Sequence, residues 1–420
     1  MKGFQQRELA SVIEIDRRKC KGCDACKTFC PAGAITGKYG AVHSVDNEKC
    51  LFCGQCLVNC PFGAPQDTVD SVDAVIAKLK DSRATVVGVI APAVRVAIGE
   101  EFGLEPGTLA TEKLYGAMQQ AGFKIFDNNF AADQCIMEEG SELIAKIRHF
   151  ALGEPAHGHL LGPLPQFTSC CPAWVRHAEL SYPDILPHLS SAKSPQQMAG
   201  ALAKTYGANT VFRVSPENMY VVGVMPCTAK KFEASRPEFG SAALYWRKQG
   251  ATGNYPDVDT VITTRDLARL LKKMNISLAT APGVADADNP LARYSGAGTI
   301  FGNTGGVMEA ALRTAYFVIT GRELATLEFT PVRGLKGVKE ASVAMKDVKT
   351  GREIVLKVAV VHGIKENLAP VVAAVAAGTS PYHFIEVMNC PGGCVNGGGQ
   401  PINPMGTSWI DKFKVVLPWA

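Results

Sequence analysis

Beyond residue 65, short continuous apolar runs alternate with longer stretches in which apolar residues recur at helical spacing. The continuous runs predict buried strands at 85–90, 219–225, 258–263, 354–362 and 383–388. The helical spacing predicts helices at 111–121, 135–150, 195–206, 264–273, 304–321 and 365–378. Because fully apolar strands need cover on both faces, this alternation indicates an α/β domain with mostly parallel sheets covered by helices.

The composition narrows the class of protein without choosing a function. The net charge of +4 over 420 residues is too small to indicate binding to nucleic acid or to an anionic membrane surface. The longest apolar stretch, 86–99, is interrupted by Pro92 and Arg95 and is shorter than the ~20 residues that a membrane span needs. Residues 1–12 lack the apolar core of a secretory signal, so export would require another carrier.

The grouping of the fourteen cysteines is the most informative feature of the chain. Eight of them form two runs, 20–31 and 50–61, that share the spacing C-x2-C-x2-C-x3-C-P. In bacterial two-cluster ferredoxins with this spacing, each [4Fe–4S] cube takes three cysteines from one run and the fourth from the other. We therefore predict two clusters, with the ligands Cys20, Cys23, Cys26 and Cys60 for the first and Cys50, Cys53, Cys56 and Cys30 for the second.

Zinc sites and disulfides are the alternative uses of such cysteines. Structural zinc sites have four ligands with a wider central gap, and disulfide scaffolds are usually short secreted chains. We therefore predict that residues 1–66 form an α+β ferredoxin-like domain with two [4Fe–4S] clusters, which moves single electrons. Residues 67–84 are polar with apolar residues at helical spacing, which predicts a linker helix.

Five of the other six cysteines lie in three motifs: TSCCPAW at 168–174, MPCTAKKFE at 225–233 and EVMNCPGGCVNGGGQP at 386–401. In order and nearly letter for letter, these resemble the three signature motifs of the [FeFe]-hydrogenase catalytic domain. The segments at 137–143 and 301–313 also match that family. The resemblance implies a catalytic domain at 85–401, followed by a tail at 402–420.

The resemblance also implies the reaction 2H+ + 2e− ⇌ H2 at an H-cluster, in which a [4Fe–4S] cube is joined to a diiron unit with CO, CN− and a dithiolate bridge. Four cysteines would hold the cube, namely Cys171, Cys227, Cys390 and Cys394. Lys230 is expected to reach a cyanide, because a cation stabilises an anionic ligand. The further contacts that the resemblance implies are Ala91, Pro92, Ser194, Gln196, Met225, Phe301 and Met388.

A route for protons follows from the same resemblance. Cys170 would be the acid–base group that passes protons to the diiron bridge, which a thiol with a pKa near ~8.5 can do if its surroundings tune it. The route would continue through Glu139, Ser190 and Glu142 and end near Lys146, where the family usually has arginine. The alternative for the outer end is a surface ion pair between Glu142 and Lys146, which would contribute little stability.

Three further residues are predicted to lie outside this chemistry. Cys135 sits in an apolar helical context and is interpreted as a buried structural thiol. His157 and His159 lie in a loop rich in Gly and Pro and are expected to be exposed to solvent.

Two other functions remain open from the sequence. A non-catalytic relative could serve as an iron–sulfur assembly factor or scaffold, or as a sensor of H2. Such relatives tend to lose Cys170 and the stretch GGGQP, which here occupies residues 397–401. Both are intact, so the enzyme is favoured.

The expected partners are H2, protons and a redox protein, either a ferredoxin or a cytochrome c, with neither nucleic acid nor membrane insertion. Only 20 residues follow Gln400, whereas longer family members carry a further segment there. This predicts a separate small subunit, as in periplasmic two-subunit members whose small chain bears the export signal. A periplasmic location would follow, with the cytoplasm as the alternative.

Overall fold

The segment that carries the two cysteine runs folds into short strands and one-turn helices. In the computed structural model, which describes residues 9–155, 162–284, 290–333 and 336–402, its elements are β1 (Ile13–Ile15), α1 (Ala25–Thr28), β2 (Ile35–Thr36), β3 (Ser44–Val45), α2 (Gln55–Val58) and β4 (Pro65–Asp67). Strand β1 pairs with β4 and β2 with β3, both antiparallel. Each helix carries the third cysteine of its run, so the predicted α+β organisation is confirmed.

The rest of the described chain forms two sheets with helices around them. Its strands are β5 (Thr85–Ile90), β6 (Lys124–Asp127), β7 (Gln166–Phe167), β8 (Met219–Met225), β9 (Thr260–Thr263), β10 (Thr330–Pro331), β11 (Val338–Lys346), β12 (Glu353–His362) and β13 (Phe384–Met388). The helices are α3 (Val72–Lys80), α4 (Thr111–Gln120), α5 (Asn128–Lys146), α6 (Pro172–Ser181), α7 (Pro195–Leu202), α8 (Ala229–Ser235), α9 (Ser241–Arg247), α10 (Thr264–Lys273), α11 (Gly296–Ile300), α12 (Gly306–Thr320) and α13 (Ile364–Ala376).

The sheet topology is the predicted α/β type. One sheet has the order β6-β5-β8-β9 and is parallel throughout. The other has the order β10-β11-β12-β13-β7, in which β12, β13 and β7 are parallel while β10, β11 and β12 are antiparallel. The sheets are therefore mostly parallel, as expected. Among the described residues, no helix has both the length and the apolar character that a membrane crossing requires.

The differences from the predicted elements have local causes. Strand β11 was not predicted because its residues alternate between buried and exposed instead of forming an apolar run. Helix α5 begins at Asn128 and not at residue 135, because the Asp127 side chain accepts a hydrogen bond from the Asn129 N–H and caps the first turn. Helix α7 ends at Leu202, and the chain continues as a wider helix over Ala203–Phe212.

A buried ion cluster fastens the end of the cysteine-rich segment to the larger domain. The Lys231 side chain of α8 is 1% exposed and pairs with Asp67 of β4 and with Asp266 of α10, the latter at 2.9 Å. Removing one partner of such a cluster leaves the others charged and poorly solvated, which costs far more than breaking an exposed pair.

Replacing Lys231 with Met should therefore lower the free energy of unfolding by about 3 kcal/mol. The matched control is Lys273→Met, because Lys273 pairs with Asp73 on the surface, where both side chains are largely exposed. The control should cost less than about 1 kcal/mol. Urea unfolding followed by circular dichroism measures the free energy of unfolding of both variants. Equal decreases in the two variants would contradict the stabilising role of the buried ion cluster.

Candidate active site

The loops that carry the late cysteine motifs leave the carboxyl ends of parallel strands. Ala91 follows β5, Cys171 follows β7, Cys227 follows β8 and Cys390 follows β13. Ligands of α/β folds bind outside the carboxyl ends of strands, where loops from neighbouring strands meet. Here the loops of both sheets line one common cavity.

Four cysteines from three distant segments line this cavity together. They are the four predicted cube ligands, Cys171, Cys227, Cys390 and Cys394. Most of the other residues expected at the site line the same cavity, namely Ala91, Pro92, Cys170, Gln196, Met225, Lys230, Phe301 and Met388. Ser194 is not among the lining residues of the described chain.

The chemistry of the four thiols suits an iron–sulfur cube. Burial raises the pKa of Cys227 and of Cys394 to about 12, so these thiols stay protonated until iron displaces their protons. All fourteen cysteines are free of disulfides. Among the described residues, no three His, Cys, Asp or Glu side chains converge on a single metal ion. A cube spaces its four ligands around its corners, and four thiols around one cavity fit such a cluster.

The cavity also offers polar atoms for a group that has polar ligands of its own. The side-chain oxygens of Asn128, Gln196 and Asn389 are buried without a hydrogen-bond partner in the described chain, and all three residues line the cavity. These oxygens only accept hydrogen bonds, so they suit an N–H or O–H donor of a bound group and not CO or CN− ligands. The four thiols fit a cube, and the Lys230 ammonium on the cavity wall fits an anionic ligand of an attached diiron unit.

A buried acid–base cluster forms one wall of the cavity. The Lys230 Nζ donates to both carboxylate oxygens of Glu233 at 3.0 Å and to the Cys170 carbonyl at 3.1 Å. Ser194 Oγ and Gln196 Nε2 each donate to Glu233 at 2.9 Å. Ser194 therefore contacts the site through its hydrogen bond to Glu233. Burial lowers the pKa of Lys230, but the charge and hydrogen bonds of Glu233, together with the charges of Cys170 and Cys227, outweigh burial and raise it.

The eight amino-terminal cysteines separate into two sets. The outer set, Cys20, Cys23, Cys26 and Cys60, lines a small cavity of its own. The inner set consists of Cys30, Cys50, Cys53 and Cys56, and its thiols interact electrostatically with one another. Cys23 is exposed, whereas Cys53 is buried and its charge interacts with Cys390 of the large cavity. The order from the surface inward is therefore outer set, inner set, large cavity.

The acidic residues of the expected proton route lie along α5. Glu139 is 2% exposed, and its Oε1 accepts a hydrogen bond of 3.3 Å from the Ser169 N–H. Burial raises the pKa of Glu139 to about 8, although the Ser169 N–H and the Ser190 hydroxyl favour its charged form. Ser190 Oγ donates to Glu142 Oε2 at 2.9 Å. Glu139 also interacts electrostatically with Cys170, so the expected residues are neighbours in the expected order.

The outer end of this route differs from the sequence-based expectation. Lys146 pairs with Glu142 at 2.9 Å, but the Lys146 side chain is 0% exposed. The ion pair is therefore not on the surface, and the interpretation of a solvated pair was wrong. Ser191 is exposed, and its hydroxyl and N–H donate to Glu142 at 3.2 and 3.0 Å. Ser191 and Glu142 are therefore the residues of this group that solvent reaches, whereas Lys146 is buried.

The remaining predictions concern residues outside the cavity. Cys135 is 1% exposed, as expected for a buried thiol. His157 and His159 lie outside the described residues, as does the tail from residue 403 onward. Sequence reasoning missed Glu233 and Gln55, both of which touch site residues. Helical spacing was the available signal for Glu233, since it lies three residues after Lys230.

The fold and the cavity define an iron–sulfur oxidoreductase in which a two-cluster segment adjoins a buried four-cysteine site. The family described as "Iron only hydrogenase large subunit, C-terminal domain" matches residues 84–398, and the "4Fe-4S dicluster domain" matches residues 12–61. The chain therefore belongs to the iron-only hydrogenase large-subunit family. This confirms the predicted family, the enzyme class and the iron–sulfur cofactors with the H-cluster, while the stated domain limits remain predictions.

Individual proteins with known names are also similar to this chain in sequence or in structure. The periplasmic [Fe] hydrogenase large subunit of Nitratidesulfovibrio vulgaris is 46% identical over 407 residues, which are 96% of this chain and 90% of that protein. The structure of a variant [FeFe]-hydrogenase of Chlamydomonas reinhardtii matches with a TM-score of 0.70 and 37% identity, covering 83% of this chain and 88% of that one. The cytosolic iron-sulfur assembly component 3 of Mus musculus is 33% identical over 74% of this chain and 61% of that protein.

The raised pKa of Glu139 predicts a specific effect of pH on stability. Between the ordinary glutamate pKa of ~4.3 and a pKa of about 8, the folded protein keeps a proton that the unfolded chain releases. The stabilisation that comes from the protonated Glu139 carboxyl is therefore fully present below pH ~4.3 and is lost as the pH rises through that window. A Glu139→Gln variant should lack this loss, so its melting temperature relative to the parent should rise by roughly 5 °C from pH 5 to pH 8.

Differential scanning calorimetry at both pH values measures this effect. Glu138→Gln is the matched control, because Glu138 is the exposed neighbour on the same helix. A relative melting temperature that is independent of pH in the Glu139 variant would show that the carboxyl is ionised throughout.

Proposed function

We propose that this chain catalyses the reversible reaction 2H+ + 2e− ⇌ H2 as the large subunit of an [FeFe]-hydrogenase. The observation that carries the proposal is the convergence of Cys171, Cys227, Cys390 and Cys394 on one buried cavity beside the inner set. When bound there, the diiron unit of the H-cluster supplies the site at which protons and electrons combine. The named relative from Nitratidesulfovibrio vulgaris supports the same activity.

The chain's own residues divide the remaining work between electrons and protons. The outer set lies at the surface and the inner set beside the cavity, so electrons enter through the first and reach the cavity through the second. Lys230 holds a positive charge at the cavity wall, where it stabilises an anionic ligand. Pro92, Met225, Phe301 and Met388 exclude water from the reacting centre, which strengthens that electrostatic interaction.

Protons reach the cavity through side chains that can hold and release them in sequence. Glu142 takes a proton from water near Ser191, and Ser190 connects Glu142 with Glu139. Glu139 suits the middle of this route, because a carboxyl with a pKa of about 8 exchanges protons readily near neutral pH. Cys170, next to Glu139 and on the cavity wall, is then the last protein group that holds the proton, at its Sγ.

A Cys170→Ala variant should lose at least about 100-fold of the H2 evolution from reduced viologen, because it removes the thiol that takes the proton from Glu139 and holds it at the cavity wall. Its iron content should remain that of the parent. Cys135→Ala is the matched control, since it removes another buried thiol of the same region, and its rate should stay within about twofold.

The assay uses protein purified without air and loaded with the diiron cofactor. Full activity in the Cys170 variant would remove Cys170 from the proton route. If the parent itself evolved no H2 despite three intact cubes, the chain would be a non-catalytic scaffold or an H2 sensor. Such a result would make the mouse assembly component the more relevant relative, although the match covers only 61% of that protein.

A small subunit and a periplasmic location complete the proposal. The most informative support is the similar protein from Nitratidesulfovibrio vulgaris, which is a periplasmic hydrogenase large subunit. We propose that a separate small chain binds this one and carries the export signal. Purification from the native host tests this, since a large subunit recovered alone, active and stable would contradict it.

The surface around the outer set favours an acidic electron carrier. Tyr39 is 80% and Phe62 46% exposed beside the exposed Cys23. Lys21 and Lys38 are exposed on the same surface, because the Gly40 N–H donates to the Gly22 carbonyl at 2.8 Å and brings the two loops together. The nearby carboxylates Asp16 and Asp24 are already paired with Arg18, His43 and Lys27. Lys21 and Lys38 thus present positive charge at this surface, which attracts an acidic ferredoxin and repels a basic cytochrome.

Reversing both charges with Lys21→Glu and Lys38→Glu should slow H2 evolution driven by an acidic ferredoxin about tenfold at low salt, and high salt should reduce the difference. Evolution driven by reduced viologen should not change. The control variant reverses Lys248 and Lys349, two exposed lysines of the larger domain. Equal rates with ferredoxin in both variants would place the electron entry on another surface.

A further inference from the structure

One side chain of the amino-terminal segment reaches a ligand cysteine of the large cavity. Gln55 of α2 is 5% exposed, and its Nε2 lies 3.1 Å from the Cys390 Sγ and 2.9 Å from the Asn396 carbonyl oxygen. The backbone N–H of Gln55 also hydrogen-bonds the Cys53 sulfur. A single residue therefore contacts a ligand of the inner set and a ligand of the large cavity.

The surroundings of the Gln55 amide fix its orientation. A backbone carbonyl only accepts hydrogen bonds, so the group that faces Asn396 O must be the NH2 and not the oxygen. On the other side, Asn59 Nδ2 lies 3.5 Å from Gln55 Oε1 and donates to the Gln55 carbonyl at 2.8 Å. One N–H of the amide is used by Asn396. The other is directed at the Cys390 sulfur.

A donor at this sulfur affects the electron affinity of the cube. Reduction adds negative charge to the cluster and its thiolate ligands, so a hydrogen bond to a ligand sulfur stabilises the reduced form more than the oxidised form. Asn389 Nδ2 lies 3.6 Å from the same sulfur, a longer contact than that of Gln55. Gln55 is therefore the nearer side-chain donor to Cys390.

We propose that Gln55 is a positioning residue that raises the reduction potential of the cube bound by Cys171, Cys227, Cys390 and Cys394. This rests on the proposed function, in which that cube receives electrons from the inner set. In the step concerned, the reduced inner cluster loses one electron and the cube gains it, with no proton or ligand exchanged. By stabilising the acceptor, Gln55 favours the inward direction of transfer.

The close approach of the two segments at this point supports the assignment. A Cβ on Gly398 would lie 2.2 Å from the Cys53 carbonyl oxygen and 2.4 Å from Gly54 Cα. Only glycine allows the backbones to meet so closely. The contact is strengthened by Thr228, whose Oγ1 donates to the Phe52 carbonyl at 2.6 Å. These contacts hold Gln55 against Cys390, which is what a steady effect on the potential requires.

Potentiometric titration followed by electron paramagnetic resonance tests the proposal on the full chain carrying its three cubes. In Gln55→Leu, the ratio of reduced to oxidised cavity cube, read at the parent's midpoint potential, should fall about fivefold. In Gln55→Glu, a carboxylate of similar size replaces the donor and should lower the ratio further. The outer-set cluster should titrate as in the parent.

Gln66→Leu is the matched control, because Gln66 is an exposed glutamine of the same segment. It should leave all midpoints unchanged. If Gln55→Leu loses its cavity cube, the comparison of Gln55→Glu with the parent decides the matter. An unchanged ratio in the Gln55 variants would overturn the proposal. Because the titration reads the cube directly, the expected shift in a protein without H2 activity would retain this inference and remove the proposed function.

Discussion

The arrangement of this molecule depends on the convergence of four thiols on one cluster. Cys171, Cys227 and the pair Cys390 and Cys394 come from loops of two different sheets. A cube tolerates little variation in the positions of its ligands, so the carboxyl edges of both sheets must be held in a fixed relation.

Two buried carboxylates illustrate how the edges are held. Glu386 of β13 accepts hydrogen bonds from the N–H groups of Gly305 and Met308 at 2.7 and 2.8 Å, which fixes the start of α12 to the strand that leads to Cys390. Asp127 at the end of β6 binds the Arg95 guanidinium at 2.8 Å, and Arg95 Nε donates to the Pro92 carbonyl at 3.2 Å. Each carboxyl group is hydrogen-bonded at a helix start or to a guanidinium, so its position is well defined.

Close backbone packing serves the passage of electrons. Gly397 lines the cavity, where the absence of a side chain lets the backbone approach a bound group. The structure adds another reason, since added Cβ atoms at Gly397 and Gly399 would collide with Pro226, and one at Gly398 with Gly54. These glycines therefore allow the backbone of the third motif (386–401) to pack directly against the second motif (225–233) and against the inner set. The proposed electron and proton routes and the four predicted cluster ligands thus meet in one small region of the fold.

The sequence by itself determined the chemistry of this protein, because cysteine spacing is a local property and each motif carries its ligands within a few residues. It also determined the main parallel strands, whose apolar runs reflect burial on both faces. Tertiary structure decided the rest. The half-exposed β11, the burial of Lys146 and the contact of Gln55 with Cys390 all depend on segments that are remote in the chain. Burial, pKa and contact across domains arise only when such segments pack together, so no spacing along the sequence records them.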